Sequence, residues 1–343
     1  MTAHRDLKRI IRTRRQKTGE SYTAARAHVM RERAALLGLD ADASTEPVRA
    51  EAAVLKVNRQ SARVRVLGVE GQITFRSGDV WDVVPGHLVT LVIEKRWTWR
   101  DDAYASGHIE NPRIAVDKLG LVPLPLEGGE LEDLRASYEP YQSPDPYAPL
   151  WRKLTAKPRA YFEMDPIAWG VSPVRDSEGN LDPDEFDPED DLTCQAAELA
   201  EAGDCEGARE RLMEALCIDL RCIDAHAHLG NLEFERWPER AIVHYEIGMR
   251  IGELSLPPTF DGLLLWHIHN RPFLRCLHGY GLCLWRLGRI AEAEFVFERV
   301  LALNPNDNQG VRFCWQDVRS GGSWDEMHAR EQASREVRRR ALR

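Results

Sequence analysis

The side chains best suited to metal chemistry in this chain are its histidines, which gather in two places. Asp224-Ala225-His226-Ala227-His228 and Trp266-His267-Ile268-His269 each hold a His-x-His pair, with His244 and His278 nearby in sequence. Imidazoles at this density are common ligands of a tetrahedral zinc. Helical geometry works against that use. Residues two apart point about 200° apart around a helix, so neither pair can chelate from one face. The spacing favours core or groove histidines, with a zinc site joining the His267 segment to the Asp224–Phe234 helix as the alternative. Asp176, Glu178 and Asn180 alternate as the first ligands of a calcium loop do. The glycine, however, is fourth (Gly179) where such loops place it sixth, and Asp187 stands where a bidentate glutamate belongs. The acids of 182–191, seven of ten residues, therefore read as a solvated hinge or as a contact for a basic segment.

Nucleophile chemistry is equally hard to assemble. The chain has no Gly-x-Ser-x-Gly, no phosphate-binding Gly-x-x-x-x-Gly-Lys, no Gly-x-Gly-x-x-Gly and no His-Glu-x-x-His. The seven cysteines (Cys194, Cys205, Cys217, Cys222, Cys276, Cys283, Cys314) form no Cys-x-x-Cys pair. Their odd number and helical positions suit small buried apolar residues in a reducing cytoplasm. The expectation is a protein without catalytic residues, metal or cofactor.

The elements around these residues differ sharply along the chain. A formal net charge of −9 conceals a basic beginning: residues 1–34 carry ten Lys or Arg against three acids. Helices are expected at Arg5–Lys17 and Tyr22–Leu37, broken at Gly19 and capped by Ser21, giving a basic hairpin over 1–38. Arg9, Arg12, Arg14, Arg15 and Lys17 would be its contacts to a phosphate backbone. The plainer reading is a solvated arm, or one docked on the acidic body.

Residues 48–125 change to short β-branched runs at 54–57, 62–66, 72–75 and 88–93, with a fifth at 104–109, separated by turn residues such as Asn58, Gly68, Gly71 and Gly86. Strict alternation in Ala62–Val66 puts Arg63 and Arg65 on one face and Val64 and Val66 on the other. Five strands with this rhythm resemble a small barrel of the OB or S1 type. That resemblance implies a single-strand-binding surface, for which Arg63, Arg65, Phe75, Arg96, Trp97 and Trp99 are candidates, or a barrel used for protein contact. Phe75 and Trp97 suit a core as well as a platform. Residues 126–190 are rich in proline and aromatics and are expected to wrap against a folded surface, from Tyr138 to Trp169, before the acidic hinge.

The last part of the chain is built from repeats. Leu277, Gly281, Ala293, Phe297 and Pro305 are the small, large and helix-breaking residues of a two-helix hairpin, with Gly288 ending its first helix. Leu229, Gly230, Ala241 and Tyr245 make a second copy, and Gly203, Ala208, Leu212 and Ala215 a third. The pattern resembles the tetratricopeptide repeat, a unit of about 34 residues, over roughly 191–318. Gly230 and Gly281 lie 51 residues apart, so an insert is placed at 256–273, an extra helix or an elaborated loop. The expected architecture is multidomain α+β: an all-α repeat domain over 191–320, preceded by the barrel and followed by a basic helix at 321–343.

The resemblance implies a concave groove lined by the first helix of each pair. Its inward positions become Asp224, Ala227, Asn231, Phe234 and Glu235 in one copy and Arg275, His278, Leu282, Trp285 and Arg286 in the next. Trp285 is expected to be the apolar anchor, with Arg275 and Arg286 as charge partners for an acidic or aromatic peptide. Packing beneath the helix at 311–318 is its alternative role. The reading is a cytoplasmic, bacterial adaptor or scaffold for a protein or peptide partner. A nucleic-acid-binding protein is the alternative. No apolar run reaches the roughly 18 residues of a membrane span.

Overall fold

The computed structural model describes residues 14, 47–100, 102–140, 143–164 and 191–341. The basic hairpin, apart from the helical Arg14, lies outside them, as do the calcium-like loop and the acidic hinge up to residue 190. One compact unit holds the described residues up to Leu121 together with Met213–Leu220. A second holds Val122–Leu212 and the residues from Arg221 onward.

The first unit is the expected five-stranded barrel. Strands β1 (Val48–Asn58), β2 (Ser61–Val66), β3 (Ile73–Arg76), β4 (Leu88–Trp99) and β5 (Asp102–Arg113) close in the order β1-β2-β3-β5-β4. Every pairing is antiparallel except β3 with β5. Alternation does what the sequence suggests: Ala62, Val64 and Val66 of β2 face the core while Arg63 and Arg65 face out. Phe75 is fully buried among Val64, Leu91 and Ala105, so it belongs to the core and not to a binding platform. β4 and β5 run well past the barrel's needs, so that Trp97 and Trp99, placed by the sequence in a connection, are part of a strand. The strands pass very close at Gly107, where a side-chain carbon would stand 1.9 Å from the carbonyl oxygen of Val92.

The second unit begins with the proline-rich segment, which holds more regular structure than its composition suggests. β6 (Leu126–Glu132) and β7 (Arg159–Met164) form a two-stranded antiparallel sheet, with α1 (Ala148–Leu154) between them in sequence. Tyr147 is fully buried and its hydroxyl donates to Pro305 O at 3.0 Å. Arg159 donates to three carbonyls, Asp261 O and Ala302 O at 2.6 Å and Gly262 O at 2.7 Å.

The remaining elements are helices: α2 (Leu192–Glu201), α3 (Cys205–Ile218), α4 (Ile223–Phe234), α5 (Pro238–Glu253), α6 (Arg271–Arg286), α7 (Ile290–Leu303), α8 (Val311–Arg319) and α9 (Trp324–Ala341). Asp191 caps α2 by accepting from the backbone of Thr193 and Cys194. Gly288 sits at φ 74°, the left-handed conformation that ends α6, and Arg289 N closes the turn onto Leu284 O. Phe297 and Ala293 of α7 are fully buried, as the hairpin pattern requires. The 256–273 insert is a loop with one short 3-10 turn at Ile268–Asn270 that leads into α6. It is stitched to β7: Leu263 pairs with Tyr161, and buried Asn270 donates to Phe162 O and Leu265 O while accepting from Met164 N.

Candidate partner-binding groove

The helices α4 and α6 pack side by side, and each carries its large and small apolar residues on the faces turned to α5 and α7. The other face of each is mixed. Asp224 and Arg275, one from each helix, make an ion pair at 2.8 Å, and His228 Nε2 stands 3.6 Å from the other oxygen of Asp224. Burial pushes the Asp224 carboxyl up, but His228 and the Arg275 guanidinium outweigh it and hold the group below the usual range. Ala227 is buried. Asn231 accepts from the hydroxyl of Tyr245 at 2.6 Å, and Glu235 lies exposed at the end of the helix. His278 faces Gln309, its Nδ1 3.5 Å from Nε2, and burial pushes its pKa down to about 4.

Phe234, Trp285 and Arg286 come together at one end of this face. The guanidinium of Arg286 donates to Phe234 O and, at 2.9 Å, to Glu235 O, which satisfies the last carbonyls of α4. It also lies 5.2 Å from the centre of the Phe234 ring. Trp285 departs from expectation. It is 1% exposed, its indole N–H donates to Gly322 O at 2.9 Å, and its ring meets Phe297 and Trp324 edge-on. It is a core residue here and not an open anchor. The start of α9 and the turn before it lie against it. Trp324, which the sequence places in a basic helix at 321–343 with no role of its own, is the residue not foreseen. Its one signal was an aromatic side chain directly after Gly321-Gly322-Ser323.

His226 and His228 divide between core and surface as helical spacing requires, whereas His267 and His269, in a loop and a 3-10 turn, share one side. His226 and His244 are fully buried, while His228 faces the groove. His267 and His269 both turn to Glu163 of β7, at 3.3 and 2.9 Å, and not to α4. Among the described residues no group of three or more His, Cys, Asp or Glu could hold a metal ion. All seven cysteines are free, but only Cys222, Cys276 and Cys283 are buried, and Cys205 is exposed. They are not uniformly the core residues expected.

On the barrel, Arg63 and Arg65 are half-buried. Arg65 donates to Leu119 O at 3.2 Å, and neighbouring Gln72 donates to Cys217 O. Burial pushes the Cys217 thiol up to about 11, with Arg63 and Lys56 opposing it. The open aromatic surface lies instead on the β4–β5 arms. Trp97 stacks on Tyr104 at 5.6 Å with Arg76 at 5.6 Å from its ring, and Trp99, 56% exposed, lies under Arg100.

Against known families, residues 274–307 match the tetratricopeptide repeat. The chain carries a tetratricopeptide repeat. The matched span opens within α6, takes in all of α7 and ends at Asp307, just before α8. The repeat is an architecture of protein–protein interaction, and this is the copy whose sequence pattern is clearest. No curated protein and no solved structure matches the chain. No helix among the described residues is long and apolar enough to cross a membrane.

Proposed function

We propose that this protein is a non-enzymatic adaptor that holds a protein or peptide partner on the α4–α6 face, without metal or cofactor, in the bacterial cytoplasm. The observation that carries the reading is the division of those two helices. One face is buried against α5 and α7, while the other offers Asp224, His228, Asn231, Arg275, Leu282 and Arg286, with Asp224, Arg275 and Arg286 already oriented by neighbours. Preoriented polar groups lose little freedom on binding. A photo-crosslinking residue placed at Leu282 of the full chain should capture a defined partner. The same residue at Phe295, which is 70% exposed on α7, should not. Equal capture from both positions, or capture from Phe295 alone, would remove the α4–α6 face from consideration.

A second reading attaches to the barrel arms, where an exposed tryptophan and a stacked aromatic pair each carry an arginine. Such platforms stack the bases of single-stranded nucleic acid, at about 1–3 kcal/mol per base. Anisotropy of a labelled single-stranded oligonucleotide would show binding that weakens with salt and is lost in Trp99→Ala. Absence of binding at low salt would dismiss it.

A further inference from the structure

Trp324 occupies a seat that the repeat builds twice over. Phe234 and Trp285 each lie four residues after the packing glycine of their copy, Gly230 and Gly281, so each of the two helices contributes one aromatic ring. Trp324 meets both edge-on, at 5.6 and 5.5 Å between ring centres, and the Arg286 guanidinium closes a third side at 5.7 Å. An electron-rich indole is the side chain that such a cation-and-edge arrangement favours.

The segment that supplies Trp324 is organised locally. Ser323 and Glu326 form a reciprocal cap, Ser323 N donating to the carboxylate at 2.8 Å and Glu326 N to the hydroxyl at 3.3 Å. The turn before it runs through Gly321 at φ 81° and Gly322. Met327 is half-buried, but from His328 onward every side chain described on α9 is exposed, including Val337 at 66%. The further tie to α8 is an exposed ion pair, Arg330 to Asp317 at 2.7 Å, of a kind that contributes little. Among the described side chains it is the first turn of α9 that packs against the groove helices.

We propose that the Phe234–Trp285–Arg286 seat is the receptor for an aromatic side chain in the first turn of a partner's helix, and that Trp324 fills it until the partner arrives. This rests on the α4–α6 face being the partner surface. The partner's chemistry is that of the resident segment: a capping hydroxyl, an aromatic residue, then acids, as in Ser323-Trp324-Asp325-Glu326. A seat already filled lowers the apparent affinity for an incoming copy by the fraction of time it stands open.

The test uses the full chain and a synthetic peptide with the sequence of Gly321–Arg330. Trp324→Ala should bind the peptide at least about tenfold tighter than the unmodified chain. Adding Phe234→Ala, or replacing the peptide's tryptophan by alanine, should abolish binding. Hydrogen exchange supplies a second measurement on the unmodified chain, where saturating peptide should speed exchange of the amides of 324–330. Equal affinity for both chains, no binding to a folded Trp324→Ala protein, or exchange unchanged by peptide would each overturn the proposal. If the peptide fails while Leu282 still crosslinks its partner, the groove reading stands and Trp324 is only a packing residue. If both fail, the groove reading falls as well.

Discussion

The Tyr245 ring is pinched between two helices, and a methyl group added on either side measures how tightly. An alanine side chain at Gly230 of α4 would stand 2.6 Å from two ring carbons, and one at Gly279 of α6 would stand 2.4 Å from one of the same atoms. Both methyls would press on the same atoms of the ring, Cε1, Cζ and Cδ1, from two different helices. Carbon atoms in contact prefer about 3.5–4.0 Å, so each methyl intrudes by roughly 1 Å. The ring is 3% exposed and is further fixed by its bond to Asn231, so it has little room to tilt away. Overpacking of this kind costs about 1–3 kcal/mol, and a blocked ring belongs at the upper end. Alanine in place of a helical glycine returns about 1 kcal/mol of backbone preference. Gly230→Ala should therefore destabilise by about 1–2 kcal/mol net, read as a lower urea midpoint of the helical circular dichroism signal. In a Tyr245→Ala background only the helix preference remains. There the same substitution should stabilise by about 1 kcal/mol, a coupling of about 2–3 kcal/mol. If Gly230→Ala costs the same in both backgrounds, the ring is not what sets the spacing of α4 and α6.

Arg159→Ala should lower the melting temperature and speed hydrogen exchange across 256–267, because one guanidinium serves three carbonyls; about 2–4 kcal/mol is expected from bonds to a charged group. Arg159→Lys should recover only part of this, since an ammonium cannot fan out to all three. His87 is buried, accepts from Val84 N through Nδ1, and has its pKa pushed by burial down to about 4. Its folded pKa is depressed, so the barrel should hold full stability above pH 6.5 and lose it as pH falls toward 4, with His87→Gln flattening that limb. An unfolding midpoint indifferent to pH over that window would refute the assignment. Trp99→Ala should leave the melting temperature unchanged within about 1 °C, because the ring is exposed and packs mainly under Arg100. A larger fall would mean the β4–β5 arm supports the barrel.

The hairpins were legible because their constraint is local. Gly281 must be small where Phe297 would meet its side-chain carbon at 2.5 Å, and that geometry writes itself into the sequence at fixed intervals. The barrel was legible for the related reason that β2 buries every second residue. The two-stranded sheet was not. β6 is exposed along almost its whole length, so no alternation marks Leu126–Glu132, and its glycines lie against Phe162 and Tyr161 of a partner strand distant in sequence. Trp285, expected as an open anchor, is a core residue. Offset within the repeat fixes which way a side chain faces, but not what covers it. The covering residue follows the repeats, in a segment whose composition is that of a solvated helix.

Closure of the barrel has a kinetic meaning. Val48 of β1 pairs with Ile93 of β4, and β3 pairs in parallel with β5, so no strand subset short of residues 48–106 can complete the ring. Each of these pairings pays the entropy of a long loop before any reward arrives. Within each repeat hairpin the two helices are joined by a turn of a few residues, so their contacts form between neighbours in the chain. One polypeptide thus joins a fast-forming array to a slow-closing ring. Refolding followed separately by helical signal and by burial of the barrel core should resolve into two phases, the helices leading.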